Sequence, residues 1–292
     1  MKIDTKNHTI AIIQARMGSS RLPGKVLLDL AGQPMLQRVV ERTRLAKTIH
    51  QVVVATTTEP SDDPVVELCA KLGYGCHRGS LYDVLDRYYQ AARQFDANNI
   101  VRITADCPLI DPQVVDRTVQ AFFGYITKDD VLLSVTNTVS TTSNQKSKFI
   151  NPQSAAKVQP YDFVANRLPP PWGRTYPIGL DTEVCTFKAL EAAWHEAKAK
   201  HQREHVMPFF YENLRRFRVL LVNHPENCGR LRWTVDTAED LEALRQIYAH
   251  FPGRDDFSWL EVLALYQREP ELARINAQVQ HKNYQQVDNR QK

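Results

Sequence analysis

From Ile10 to Leu28 a short apolar run passes directly into a loop dense in glycine, serine and cations. Ile10, Ile12 and Ile13 predict a buried strand, while Gly18, Ser19, Ser20 and Gly24 let the backbone turn tightly and aim its N–H groups at one point. Arg16, Arg21 and Lys25 bring three cations to the same turn. An apolar strand running straight into such a loop is built to hold a polyphosphate. The spacing is neither the Gly-Lys-Ser/Thr of a P-loop nor the Gly-x-Gly-x-x-Gly of a dinucleotide fold, so this is a different phosphate cradle.

The rest of the chain repeats strand–helix units. Pro34 starts a helix carrying Met35, Leu36, Val39, Val40 and Leu45, and Val52 to Ala55 reads as the next strand. Ser61, Asp62, Asp63 and Pro64 cap a helix with Val65, Val66, Leu68 and Leu72, ended by Gly73. A strand at Gly75 to His77, a helix from Leu81 to Phe95 and a strand from Ile100 to Thr104 follow. Three consecutive units predict a doubly wound, mostly parallel sheet. Regular patterning resumes at Tyr176 to Thr186, with helices over Lys188 to Lys198 and Arg203 to Leu214, strands at Phe217 to Val222 and Leu231 to Val235, a helix from Ala238 to Ala249, and helical stretches after Ser258 and Pro270.

With 292 residues the chain suits a single catalytic domain spanning 1–292. Residues 134–172, rich in Ser, Thr, Asn, Gln and then Pro, are expected to form a flexible insert or lid, and 253–292 a C-terminal helical appendage with a polar tail. A formal charge of +4 with scattered cations favours a small anionic ligand over nucleic acid. Five cysteines without Cys-x-x-Cys predict reduced thiols in a cytoplasmic protein. No stretch approaches the roughly 18 apolar residues of a membrane helix, and no apolar leader longer than Ile10 to Ile13 opens the chain.

Two aspartates at strand ends stand out. Asp106 follows the Ile100 to Thr104 strand and Asp236 follows Leu231 to Val235; opposite a phosphate cradle, they supply the protein's share of a magnesium site. Asp111, directly before Pro112, reads as a helix cap, and Asp236 also lies where a helix opens. Asp83, Asp86 and Arg87 read equally as site residues or as ion pairs along one helical turn.

Taken together, Ala15 to Lys25, Asp83 to Tyr88, Arg102 to Pro108, Tyr176 to Asp181, Arg203 to Val206 and Leu231 to Thr237 resemble the cytidylyltransferases that include the CMP-sialate and CMP-Kdo synthetases, and most closely their spore-coat polysaccharide, SpsF-like branch. The blocks run in order through nearly the whole chain. The resemblance implies a nucleotide-diphospho-sugar transferase (GT-A-like) fold, a homodimer, and transfer of CMP from CTP to a small acidic sugar of the nonulosonic type with release of pyrophosphate. By the same likeness Arg16, Arg21 and Lys25 are catalytic, and Ala15, Arg16, Gly18, Ser19, Arg21, Lys25 and Arg78 bind the nucleotide. Asp106 and Asp236 hold Mg2+, while Asp181, Glu183, Arg203 and His205 face the sugar, with His205 reading equally as a structural histidine. Residues around Asp106 differ from those of the sialate and Kdo enzymes, so their sugar specificity does not transfer. A glycosyltransferase of the same fold class, or an inactive nucleotide-binding subunit, are the competing readings; the first lacks its Asp-x-Asp here, and the second predicts lost cradle residues that this chain retains.

Overall fold

The apolar run at Ile10 to Ile13 becomes an inner strand of a sheet. In the computed structural model, which describes residues 8–125, 131–135 and 161–280, Ile10, Ile12 and Ile13 lie on strand β1 (Thr9–Gln14) and are fully buried. Each such side chain contributes about 1.5–3 kcal/mol of burial. Helix α1 (Met35–Arg44), β2 (Gln51–Thr57), α2 (Asp63–Leu72), β3 (Gly75–Gly79), α3 (Val84–Gln94), β4 (Asn99–Thr104) and α4 (Pro112–Phe122) follow. The second half contains β5 (Val131–Val135), β6 (Phe163–Ala165), β7 (Glu183–Thr186), α5 (Phe187–Glu196), α6 (Lys200–His205), α7 (Pro208–Glu212), β8 (Val219–Asn223), α8 (Ala238–Ala249) and α9 (Trp259–Arg268).

One eight-stranded sheet runs in the order β3-β2-β1-β4-β7-β6-β8-β5. The first four strands are parallel neighbours. Beyond them β7 pairs antiparallel with both β4 and β6, β8 runs parallel to β6, and β5 pairs antiparallel with β8. Alternation along β1 separates two cores: Ile10 and Ile12 pack with Leu85, Tyr88 and Leu190 on one face, Ala11 and Ile13 with Leu36, Val39 and Val115 on the other. This is the predicted doubly wound, mostly parallel α/β architecture.

A third core gathers Trp233, Tyr248, Phe257, Trp259 and Leu265 against Leu30, Met35 and Leu109. It fastens α8 and α9 to the body, helped by Arg38, which grips Asp255 at 2.7 and 2.8 Å, and by buried Arg42, which donates to the carbonyls of Ile110, Asp255 and Phe257. The helical stretch expected from residue 253 therefore packs here, while residues 281–292 and most of the proposed 134–172 insert lie outside the described residues.

Several local expectations need correction. Leu231 to Val235 is extended but forms no strand: its sheet-like pairing is a single bridge, Ile178 with Arg232. The helix expected over Arg203 to Leu214 is two, α6 and α7, because Val206 adopts φ +69° and Pro208 restarts the chain. Asp62 does not cap α2; its side chain is 2% exposed and instead accepts from the Met17 N–H at 2.7 Å and from the Thr57 hydroxyl. Asp111 does cap α4, accepting from the N–H groups of Gln113 and Val114, and it also accepts from Trp259 N–H at 2.7 Å.

Candidate active site

At the carboxyl end of β1 the chain folds back on itself through Met17. Its carbonyl accepts from the N–H groups of Ser19 at 2.8 Å and Gly24 at 2.9 Å, and the Ser19 hydroxyl accepts from Leu22 N–H at 3.3 Å. Gly24 sits at φ +70°, a left-handed conformation that glycine adopts without strain, and leads into a short 3-10 turn, Lys25–Leu27. Part of the cradle's N–H set is thus spent internally, whereas among the described residues those of Gly18, Ser20 and Arg21 meet no protein acceptor. A Cβ built on Gly18 would meet nothing within 4 Å. Open space beside uncommitted N–H groups suits a phosphate.

Lys25 is the centre of the site. Only 8% exposed, its ammonium spends all three donors: on Asp106 Oδ2 at 2.9 Å, Asp236 Oδ1 at 3.0 Å and the Val235 carbonyl at 2.7 Å. Burial alone pulls its pKa down, but the two carboxylates outweigh that and hold the ammonium above its ordinary value. Asp236 shows the reciprocal effect: burial pushes its carboxyl up, while Lys25, Arg232 and Arg21 together hold it far below the usual carboxylate range. Arg21 and Arg232 both reach Asp236 Oδ2, each at 2.8 Å. Asp106 Oδ1 accepts from the Thr104 hydroxyl at 2.5 Å.

The two aspartates come from distant parts of the sequence and are welded together by backbone. Val235 N–H and the Thr234 hydroxyl both donate to the Asp106 carbonyl, at 2.8 and 2.9 Å. Gly179, at φ +107°, lies flush against the other side of this segment, where a Cβ would stand 2.5 Å from the Trp233 carbonyl oxygen. Two hard carboxylates converging on one positive point form a donor set that fits a divalent cation completed by phosphate oxygens and water, with the Lys25 ammonium marking where positive charge is welcome. Asp106 and Asp236 are the residues that could hold it.

The remaining predicted residues are placed as follows. Ala15 is buried at the end of β1, its N–H donating to Ala55 at 3.1 Å, and Arg16 lies close enough to buried Arg87 to repel it. Arg78 is committed to the loop after β2, donating to Thr57 O at 2.8 Å and Glu59 O at 3.0 Å and pairing with Asp63 at 2.8 Å. Asp181 pairs with Arg174 at 2.5 Å, and its charge is felt by Cys107, whose thiol burial pushes up. Glu183 is buried against Arg102 at 2.5 Å on the neighbouring strand. Arg203 holds the Asp83 carboxylate, which also caps α3, so Asp83 serves helix–helix attachment; His205 ends α6. Asp86 accepts from Trp194 Nε1 at 2.8 Å and Arg87 donates to the Ser80 carbonyl at 3.0 Å, so neither forms the one-turn ion pair the sequence allowed. The structure therefore gathers Arg21, Lys25, Asp106 and Asp236 into one cluster, and leaves Asp181, Glu183 and Arg203 in ion pairs of their own.

Four contributors were not anticipated. Asp62 anchors the cradle through Met17, Arg232 with Asp240 braces Asp236, and Gln14 Oε1 is buried at the end of β1 with no donor. Of these only Asp240 had a sequence signal, since Thr237-x-x-Asp240 is a capping box.

Comparisons with known proteins point to one family. The cytidylyltransferase family matches over residues 10–163. The chain is 30% identical to the spore coat polysaccharide biosynthesis protein SpsF of Bacillus subtilis, covering 91% of this chain and 97% of that protein. It is 38% identical to the 3-deoxy-manno-octulosonate cytidylyltransferase of Trichlorobacter lovleyi over 39% of this chain and 45% of that one. Among solved structures, a cytidylyltransferase from Leptospira borgpetersenii superposes with a TM-score of 0.75 at 29% identity, covering 95% of this chain and 99% of that one.

Proposed function

The chain belongs to the cytidylyltransferase family, and we propose that it transfers CMP from CTP to a hydroxyl of a small acidic sugar, releasing pyrophosphate, in the making of a surface or spore polysaccharide. The observation that carries this reading is the meeting of Lys25 with Asp106 and Asp236 at the foot of an open glycine-containing cradle. The acceptor class is supported by the likeness to a 3-deoxy-manno-octulosonate cytidylyltransferase, the destination by the likeness to a spore coat polysaccharide protein.

In this mechanism the triphosphate lies in the cradle, with Gly18 leaving room for it and Arg16, Ser19 and Arg21 holding its oxygens. The sugar hydroxyl attacks the α-phosphorus in line with the departing pyrophosphate, so alignment and charge neutralisation decide the rate. Lys25, its ammonium held above its ordinary pKa by the two carboxylates, supplies the positive charge that meets the negative charge building on the phosphate. Magnesium held by Asp106 and Asp236 would neutralise phosphate charge and polarise the α-phosphoryl group. Asp181, Glu183, Arg203 and His205 are assigned to the sugar side, His205 as the group that orients or accepts the hydroxyl proton.

The test is pyrophosphate release from CTP and Mg2+ with a panel of nonulosonic acids, run beside Asp106→Asn. Release that needs both the sugar and CTP, and falls at least about 100-fold in the variant, is the expected result. Release from no triphosphate, or turnover of a nucleotide sugar instead, would overturn the proposal.

A further inference from the structure

Asp236 has to present its oxygens to Lys25 and to any bound cation in one fixed orientation, although it lies on a segment that is not part of the sheet. Its brace is a buried polar chain. Arg232, 7% exposed, donates from Nη2 to Asp236 Oδ2 at 2.8 Å and grips Asp240 with Nε at 2.8 Å and Nη2 at 2.9 Å. Asp240 is fully buried and returns to the same segment, accepting from the N–H groups of Asp236 at 2.9 Å and Thr237 at 3.1 Å.

The chain ends on a residue from the far C-terminal part of the protein. Asn276 is 3% exposed and sits just past the 3-10 turn Pro270–Arg274. Its Nδ2 donates both to Asp240 Oδ1 at 2.9 Å and to the Arg232 carbonyl at 3.1 Å. One amide therefore ties the backbone of Arg232 to the carboxylate that the Arg232 side chain grips, closing the network around Asp236.

We infer that Asn276 is a positioning residue for the cation-binding carboxylate: acting through Arg232 and Asp240, it sets the orientation of Asp236, so that the C-terminal turn is a working part of the site. Groups that orient a metal ligand from behind typically change metal affinity 10- to 100-fold when removed, because the ligand then samples unproductive orientations. Without Asn276, Asp240 Oδ1 loses one of its donors and the Arg232 carbonyl loses its side-chain tie, which frees the guanidinium to follow Asp240 or Asp236 but not both.

This inference rests on the proposed metal–CTP site, and the experiment separates the two. Mn2+ binding is titrated by electron paramagnetic resonance, reading free Mn2+, with and without saturating CTP, for wild type, Asn276→Ala and Asn276→Ser. Asn276→Ala is expected to weaken Mn2+ binding in the CTP complex about 10-fold, with Asn276→Ser, which keeps one donor, in between. Should the alanine variant fail to fold, the serine variant carries the comparison. Mn2+ affinity equal to wild type in the folded variants, with only the melting temperature lowered, would make Asn276 merely structural and overturn the inference. Wild type that takes up no Mn2+ with CTP would instead overturn the functional reading on which it rests.

Discussion

Replacing Lys25 with methionine removes one charge and keeps most of the side chain's length, so its consequences can be worked from the three contacts of the ammonium. Two carboxylates stand 2.9 and 3.0 Å from Nζ. At such a distance and an effective dielectric constant of about 20, each attraction is on the order of 5 kcal/mol before the cost of burying the charges. Removing the cation releases its own burial cost but leaves Asp106 without a cationic partner, while Asp236 keeps Arg21 and Arg232 at 2.8 Å, and breaking a buried pair from one side costs about 3–5 kcal/mol. Taking about 3 kcal/mol, at the low end because both carboxylates keep some access to water, and about 2 °C per kcal/mol for a chain of this size, the melting temperature should fall by about 6 °C. The place of the ammonium, between Asp106 and Asp236, is then one that a divalent cation can fill without nucleotide. Millimolar Mg2+ or Ca2+ should recover part of the loss in Lys25→Met and do little to wild type, while turnover stays at least about 100-fold down for want of the ammonium at the phosphate. Differential scanning calorimetry with and without each cation makes the measurement. A variant that melts within about 1 °C of wild type, or that ignores divalent cations, would refute the claim that Lys25 neutralises these two aspartates.

Further outcomes follow from the same geometry. Gly18→Ala should leave the melting temperature of the free protein within about 1 °C of wild type, because the added Cβ meets nothing within 4 Å, yet weaken CTP by about 10-fold or more in calorimetric titration; unchanged affinity would place the phosphates elsewhere. Since Asp236 is held below its ordinary value, its contribution to stability is complete above about pH 4, the unfolded aspartate range, and is lost as pH falls toward the folded value. Urea unfolding should accordingly show the stability gap between wild type and Asp236→Asn narrowing below about pH 4, and a gap independent of pH would contradict the assigned ion pairing. Gly179→Ala forces a Cβ against the Trp233 carbonyl at a left-handed φ, so a cost of about 1–3 kcal/mol is expected together with reduced turnover, because the displaced segment carries Asp236. Wild-type melting and turnover in that variant would show that the segment tolerates displacement.

How much of this was legible in the sequence depended on whether a signal was local. The alternating strand–helix periods from Ile10 to Thr104 rest on burial at short spacing, and the structure follows them closely. Leu231 to Val235 has the same apolar look but lies at the sheet's margin, held by Asp106 and Ile178, so its hydrogen bonds go to loops and no strand forms. Hydropathy alone cannot distinguish these cases. Asp62 and Asp63 both precede Pro64, and only tertiary contact decides that Asp62 turns back to Met17 rather than to its own helix. The strand-end aspartates and the cradle cations were readable as types, and their meeting at Lys25 follows from topology: parallel β1 and β4 deliver Ala15 and Asp106 side by side, Ala105 N–H donating to Gln14 at 3.1 Å. The Arg232, Asp240 and Asn276 brace joins residues that no spacing rule connects.

Whether the cradle accepts CTP together with a divalent cation is read from thermal unfolding in the presence of CTP, UTP, ATP, GTP or dTTP, each with and without Mg2+. A ligand at about 100 times its dissociation constant adds about 2.7 kcal/mol to stability, enough to read clearly. A Mg2+-dependent rise with CTP that exceeds that of the other four and is abolished by Asp106→Asn is the expected result. No rise with any triphosphate, accompanied by one with a nucleotide diphosphate sugar, would contradict it.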